Sequence, residues 1–158
     1  MTVDQHSFRS VLGRFASGVT IVTALDRRGR DMGLTVSSFA SVSLEPPLVL
    51  ICIDHSASVY SALSKATRFI ANILSESQEP LARRFAERNP NRFDGIGYER
   101  GQTGAAVLFD VLGYVECEVV ARHEAGDHDI IVGAVEVAVS NEGKPLLYYR
   151  GGYAQMER

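Results

Sequence analysis

The stretch MGLTVSSFASVSLEPPLVLICID, residues 32–54, decides the fold. Val36, Ser38, Ala40 and Val42 alternate with Ser37, Phe39, Ser41 and Ser43. That period of two puts successive side chains on opposite faces of a strand. Pro46-Pro47 then forces a break, because proline donates no ladder hydrogen bond and restricts the residue before it. LVLICI follows as a continuous apolar run, which predicts a strand buried on both faces.

The flanks continue the pattern. Upstream, GVTIVTAL (18–25) is β-branched and extended in character, and RRGRD turns around Gly29. Before it, Phe8, Val11, Leu12 and Phe15 follow the spacing of one apolar helix face. Thr2 and Gln5 have capping-box spacing, and Asp4 is a second candidate N-cap. Downstream, residues 56–66 read as a short helix capped by Ser56 or Ser58. RFIANIL (68–74) is another strand, and residues 75–88 form an amphipathic helix with Pro80 in its first turn. Residues 89–104 carry little periodicity and four glycines, which predicts a long loop. VECEVV, DIIVGAVEVAV and LLYYRG are strands again. In the first of these, Glu116 and Glu118 share a face expected to be solvated. Roughly six or seven strands, mostly adjacent in sequence, favour an antiparallel barrel over alternating β-α-β units.

Composition narrows the function classes. The 158 residues have one continuous globular character, so residues 1–158 are read as a single domain. A net charge of -3 with interspersed signs offers no attraction for nucleic acid or an anionic membrane. No apolar run reaches the length of a membrane span, and the N-terminus lacks a signal-peptide layout. Cys52 and Cys117 lie apart in apolar segments and read as buried thiols in a reducing cytoplasm. His6, His55, His123 and His128 are scattered without metal-ligand spacing, so no metal is expected. No G-x-S-x-G elbow and no P-loop occur. GIGYER breaks G-x-G-x-x-G because Arg100 stands at the third glycine.

What remains is a distinctive surface. TVSSFASVS is dense in hydroxyls, LICID ends a strand at Asp54, and HSAS opens a helix whose amides suit a phosphate. A flat ligand with a polar edge and a phosphate tail, such as a flavin mononucleotide, suits those ends. Ordinary barrel packing accounts for the same residues and stays open here.

FRSVLGRFASGVTIVTA, GLTVSSFASVSLEPPLVLICID, FIANIL, RFDGI, YVECEV, GDHDIIVGAVEV and PLLYYRGGY together resemble the short-chain flavin reductases. That flavin-reductase-like group has an FMN-binding split barrel and includes the reductase components of two-component monooxygenases. The resemblance runs from Phe8 to Tyr153. Tyr98 departs from it, standing where a tryptophan is frequent.

The resemblance implies a mainly β fold, a six-stranded antiparallel Greek-key split barrel with flanking helices, assembled as a homodimer. It implies hydride transfer from NADH or NADPH to FMN or FAD, with reduced flavin passed to a separate oxygenase. Carried over, Gly33, Leu34, Thr35, Val36, Ser37 and Ser38 line the flavin ring and ribityl chain. Cys52, Ile53 and Asp54 approach the ring through backbone groups, and Ser56 and Ser58 serve the phosphate. Asn72 and Phe85 are further candidates for that pocket. Gly126, Asp127 and His128 take the nicotinamide nucleotide, with Tyr148 and Arg150 as additional contacts. No catalytic acid is implied, because hydride transfer between rings stacked at about 3–3.5 Å depends on orientation. Read from residues alone, Gly126-Asp127 is a turn dipeptide and His128 opens a strand. The turn and the ligand role are compatible. A split-barrel flavin oxidase and a flavin-binding electron carrier are the competing readings.

Overall fold

A computed structural model describes residues 2–157. Helix α1 (Gln5–Leu12) opens the chain, and Asp4 is its N-cap, accepting a hydrogen bond from the Ser7 amide at 2.9 Å. The strands follow as β1 (Ser17–Gly18), β2 (Thr20–Leu25), β3 (Asp31–Val36), β4 (Phe39–Leu44) and β5 (Pro47–Asp54). Helix α2 (Tyr60–Leu63), β6 (Arg68–Ile73) and α3 (Glu79–Ala86) come next. The C-terminal part holds β7 (Tyr98–Arg100), β8 (Ala106–Leu108), β9 (Gly113–Ala125), β10 (His128–Ser140), β11 (Leu146–Tyr149) and β12 (Gly152–Gln155). No described helix is long and apolar enough to cross a membrane.

Seven strands form one antiparallel sheet in the order β3-β2-β6-β9-β10-β5-β4. The sheet curls until its two edges approach each other at Ser38. The Cys52 amide donates to the Ser38 carbonyl at 3.2 Å, and the Ser38 hydroxyl donates to the Cys52 carbonyl at 3.1 Å. The chain is thus a mainly antiparallel β structure whose main sheet has seven strands, against the six that the resemblance implied. The alternating run 36–43 is not one strand: β3 stops at Val36, the chain bends, and β4 starts at Phe39. β3 pairs with β2 while β4 pairs with β5, so these neighbours in sequence lie at opposite edges of the sheet.

Two apolar clusters sandwich the barrel wall. Val22, Val36, Ile51, Ile53, Phe69, Cys117 and Ile131 fill the interior. Ile21, Leu74, Phe85, Leu108 and Leu146 form a second layer between the wall and α3. β2 serves both clusters, which is why five of its six residues are buried. Its hydroxyls are satisfied there: Thr20 donates to the Val36 carbonyl and Thr23 to the Ala106 carbonyl.

Several expectations need correction. The apolar face of α1 is uncovered, with no buried residue in the helix and Phe15 beyond it 80% exposed. β5 is not buried on both faces. Val49, Ile51 and Ile53 point inward, whereas Leu48, Leu50 and Cys52 are only half-buried. The helix expected over 56–66 shrinks to the four residues of α2, capped by neither Ser56 nor Ser58. The loop 89–104 ends in a hairpin, because β7 pairs with β8. Glu116 is not on a solvated face: it is 1% exposed, and its carboxylate accepts from the Gln102 and Thr103 amides. Burial also pushes the Cys117 thiol up to about 12, so it is an inert core residue.

Candidate functional site

Alternation divides the hydroxyl-rich segment into two functions. Val36 is buried inside the barrel and Leu34 packs against the same cluster. Thr35 and Ser37 therefore face outward, toward α3 and the β11–β12 hairpin. With Val19, Ala86, Tyr148 and Tyr153 they line a cavity of about 170 Å³. The Thr35 hydroxyl donates to the Ala82 carbonyl at 2.6 Å, which leaves its oxygen as an acceptor. Ser37 and Ser38 are exposed. Ser38 already leans on Cys52, so its position is fixed by the closure of the barrel.

Strand register carries the surface onward from Cys52. Across β5 and β10, Cys52 faces Ile130, Ile53 faces Asp129 and Asp54 faces His128. The Asp54 carboxylate accepts from the Ser56 amide and hydroxyl, both at 2.8 Å, and these bonds hold it below the usual carboxylate range. The His55 amide donates to the Asp127 carbonyl at 2.9 Å. The turn after β5 is thereby tied to the turn between β9 and β10. That second turn needs Gly126, whose φ of +65° lies in the left-handed region. The imidazole Nδ1 of His128 lies 2.7 Å from the Asp127 carboxylate. With Nδ1–H donating there, Nε2 is the ring nitrogen left for a ligand. One continuous rim thus runs Ser37–Ser38, Cys52–Asp54, Asp127–His128.

Other candidates lie elsewhere. Gly33 faces α3: a Cβ on it would stand 2.5 Å from the Phe85 ring, so its missing side chain admits that ring to the core. Phe85 is fully buried and packs edge-on against Phe93. Asn72 is also fully buried, donating to the Ile21 carbonyl and accepting from the Leu108 amide. Both side chains stand behind the wall rather than on the rim. Tyr148 lies beside Thr35 and Ser37, apart from the Gly126 turn. Arg150 stands with His6, Arg9 and Arg14 at the base of α1, and its amide donates to the Gly13 carbonyl. Neither α2 nor its capping offers the expected phosphate amides, since the helix is a single turn.

Two groups near the rim escaped the sequence reading. His55 Nε2 lies 2.9 Å from one oxygen of Asp129, and the Tyr60 hydroxyl donates to the other at 2.8 Å. The hydrogen bond to Asp129 raises the His55 pKa, and the hydrogen bonds from His55 and Tyr60 lower that of Asp129. Arg92 is 5% exposed and donates to the Gly33 carbonyl at 2.8 Å and the Ser58 hydroxyl at 3.1 Å. Arg88, beside it, donates to the Ser56 carbonyl at 3.1 Å. The signal for Arg92 was its place in RFDG, a run quoted as a motif without a function for its cation.

The donor set suits a flavin's chemistry. Ser37 and Ser38 offer exposed hydroxyls, Tyr148 and Tyr153 line the cavity beside Ser37, and Arg88 and Arg92 donate to Ser56 and Ser58, groups that would suit a polar ring edge and a phosphate. The cavity at Thr35 is smaller than the roughly 300–1,000 Å³ of a complete small-molecule site, so the exposed strand beyond it has to supply the remaining surface.

Comparison with known proteins identifies the family. The model of the flavin reductase like domain matches residues 12–157. An FMN reductase (NADH) of Agrobacterium fabrum is 44% identical over 155 residues, covering 98% of this chain and 88% of the relative. The reductase subunit of a flavin-dependent monooxygenase of Mycobacterium tuberculosis is 37% identical, covering 98% and 84%. Among solved structures, an NADH:FAD oxidoreductase of Streptomyces globisporus in complex with NAD and FAD fragments superposes with a TM-score of 0.91. It is 33% identical, covering 99% of this chain and 96% of that one.

Proposed function

The chain belongs to the flavin reductase family, and on that premise we propose how its residues serve an NAD(P)H:flavin oxidoreductase. The reaction is hydride transfer from NADH or NADPH to FMN or FAD, and the reduced flavin is for a partner monooxygenase. The observation that carries the reading is the continuous rim, because it puts the Ser37–Ser38 hydroxyls and the His128 turn on either side of β5 in one wall.

On this reading Thr35, Ser37 and Ser38 hold the polar edge of the ring, and the backbone of Cys52–Asp54 supports it. Ser56 and Ser58, with Arg88 and Arg92 behind them, hold the phosphate. A bound flavin supplies the electron sink for the hydride. Gly126, Asp127 and His128 receive the pyridine nucleotide, with Asp127 orienting the imidazole so that Nε2 meets it. Tyr148 closes the opposite side at Thr35. The protein's contribution is orientation and exclusion of water, and no residue is assigned as a proton donor. A cytoplasmic setting, where thiols stay reduced, suits that use.

The uncovered face of α1, with Phe8, Val11, Leu12 and Phe15, supports assembly as a homodimer. An apolar patch of that kind marks a contact surface. Phe15→Asp then yields a monomer on analytical ultracentrifugation where the unchanged chain sediments as a dimer. A monomeric unchanged chain contradicts the dimer.

His128→Ala tests the assignment of the turn. The expected result is a raised KM for NADH with unchanged flavin affinity and a folded protein. Unaltered KM and kcat remove His128 from the site.

A further inference from the structure

Beside the rim lies a second, larger cavity of about 440 Å³, lined by the β2–β3 turn and by α2 with the residues after it. Its volume falls in the range of sites for a substantial small molecule, about 300–1,000 Å³. The turn contributes Arg27, Arg28 and Arg30, and the α2 side contributes Lys65. Arg30 is neutralised, since its guanidinium pairs with the Asp26 carboxylate at 2.8 Å. Arg27, Arg28 and Lys65 enter no ion pair among the described residues. Three uncompensated cations around one cavity make a field for an anion. Asp26, the partner of Arg30, is the one carboxylate of the lining; Leu25, Ala62 and Ala66 are apolar, and Ser58, Ser61 and Thr67 bring hydroxyls.

Arg92 links this cavity to the rim. One guanidinium nitrogen donates to the Gly33 carbonyl on β3 and another to the Ser58 hydroxyl, which lines the cavity. All of its protein partners are carbonyl or hydroxyl oxygens, and desolvation alone lowers its pKa. A buried cation without a counter-charge is costly, and an anion beside it offsets the cost.

We infer that this cavity takes the adenosine diphosphate half of FAD, making FAD rather than FMN the preferred flavin. The inference rests on the flavin reductase reading. Ser58 is where a flavin's own phosphate arrives on that reading, and the cavity begins at the same serine. A second phosphate meets Arg27, Arg28 and Lys65, and the adenine has the Leu25–Ala62–Ala66 wall.

The test is binding, read by flavin fluorescence and calorimetry at low salt, without turnover. FAD is expected to bind more tightly than FMN by roughly tenfold, since partly exposed cations are each worth little. The triple variant Arg27→Ala, Arg28→Ala, Lys65→Ala closes that gap by weakening FAD alone, and the corresponding arginine-to-lysine pair keeps it. ADP displaces FAD from the unchanged chain without weakening FMN. Equal affinity for FAD and FMN in the unchanged chain overturns the inference, as does an equal loss of both flavins in the triple variant. A variant that loses affinity for NADPH instead overturns it too, assigning the cations to the other nucleotide. Binding of both flavins with equal strength leaves the flavin reductase reading intact, whereas binding of neither contradicts both.

Discussion

Strands β2 and β4 are each six residues long, and each is built mostly of small or β-branched side chains. One is closed and the other open. β2 has β3 on one side and β6 on the other, and packs against both apolar clusters. β4 pairs only with β5 and leaves Ala40, Ser41, Val42 and Leu44 exposed, Leu44 at 91%. The difference teaches where a barrel can host chemistry. In β2 each hydroxyl donates to a carbonyl and is buried, so no ligand reaches it. At the β3–β4 bend, where the two edge strands meet, the hydroxyls of Ser37 and Ser38 are exposed.

The comparison is broken most severely by a core deletion. Phe69→Ala, in the closed interior beside β2, is expected to cost about 3–5 kcal/mol in urea unfolding, while Ser41→Ala on β4 stays within about 0.5 kcal/mol. Similar costs at the two positions would mean that β4 is not an open edge.

Glu116 is the next largest effect. Its buried carboxylate is the acceptor for the Gln102 and Thr103 amides. Glu116→Ala leaves those donors unpaired, for an expected loss of about 1–3 kcal/mol. An unchanged unfolding midpoint would return Glu116 to the solvated face on which its sequence spacing put it.

The His55–Asp129 contact sharpens the comparison by pH. His55 is raised above its ordinary 6.5, so its contribution is complete below that value and is lost as pH rises through the raised value. Asp129 is lowered below its ordinary 3.8, so its contribution is complete above that value and is lost as pH falls through the lowered one. The difference in Tm between the unchanged chain and Asp129→Asn is therefore greatest between 3.8 and 6.5 and shrinks on either side. A difference that does not vary with pH contradicts the ion pair.

A small effect belongs to Ser38→Ala. It removes one exposed hydrogen bond of 3.1 Å to the Cys52 carbonyl, worth about 0.5–1.5 kcal/mol at most. The same change weakens flavin binding if the rim is the site, and calorimetry separates the two effects.

Local pattern made much of this legible. The Gly126–Asp127 turn, the long β9–β10 hairpin and the apolar strand before Asp54 all follow from alternation and turn chemistry. The split between β3 and β4 was hidden because period two runs unbroken across Ser37 and Ser38, and only pairing partners reveal the bend. Glu116 was misjudged for a related reason: alternation predicts one dry face, but the hairpin at 98–108 covers the other. Arg92 and the Asp129 partner of His55 depend on contacts between distant segments, which spacing along the chain does not encode. For the site, the motifs brought the rim residues together, while Asn72 and Phe85 turned inward and Arg150 went to the base of α1.

The central claim is that the open rim holds a flavin where a reduced pyridine nucleotide can reach it beside His128. The most direct measurement mixes the purified chain anaerobically with FMN, FAD or riboflavin and then with NADH or NADPH, following flavin absorbance. The account predicts saturable flavin binding and bleaching faster than in the absence of protein, slowed by His128→Ala at low NADH and restored at high NADH. The absence of both a spectral change on mixing and any acceleration of bleaching would contradict it.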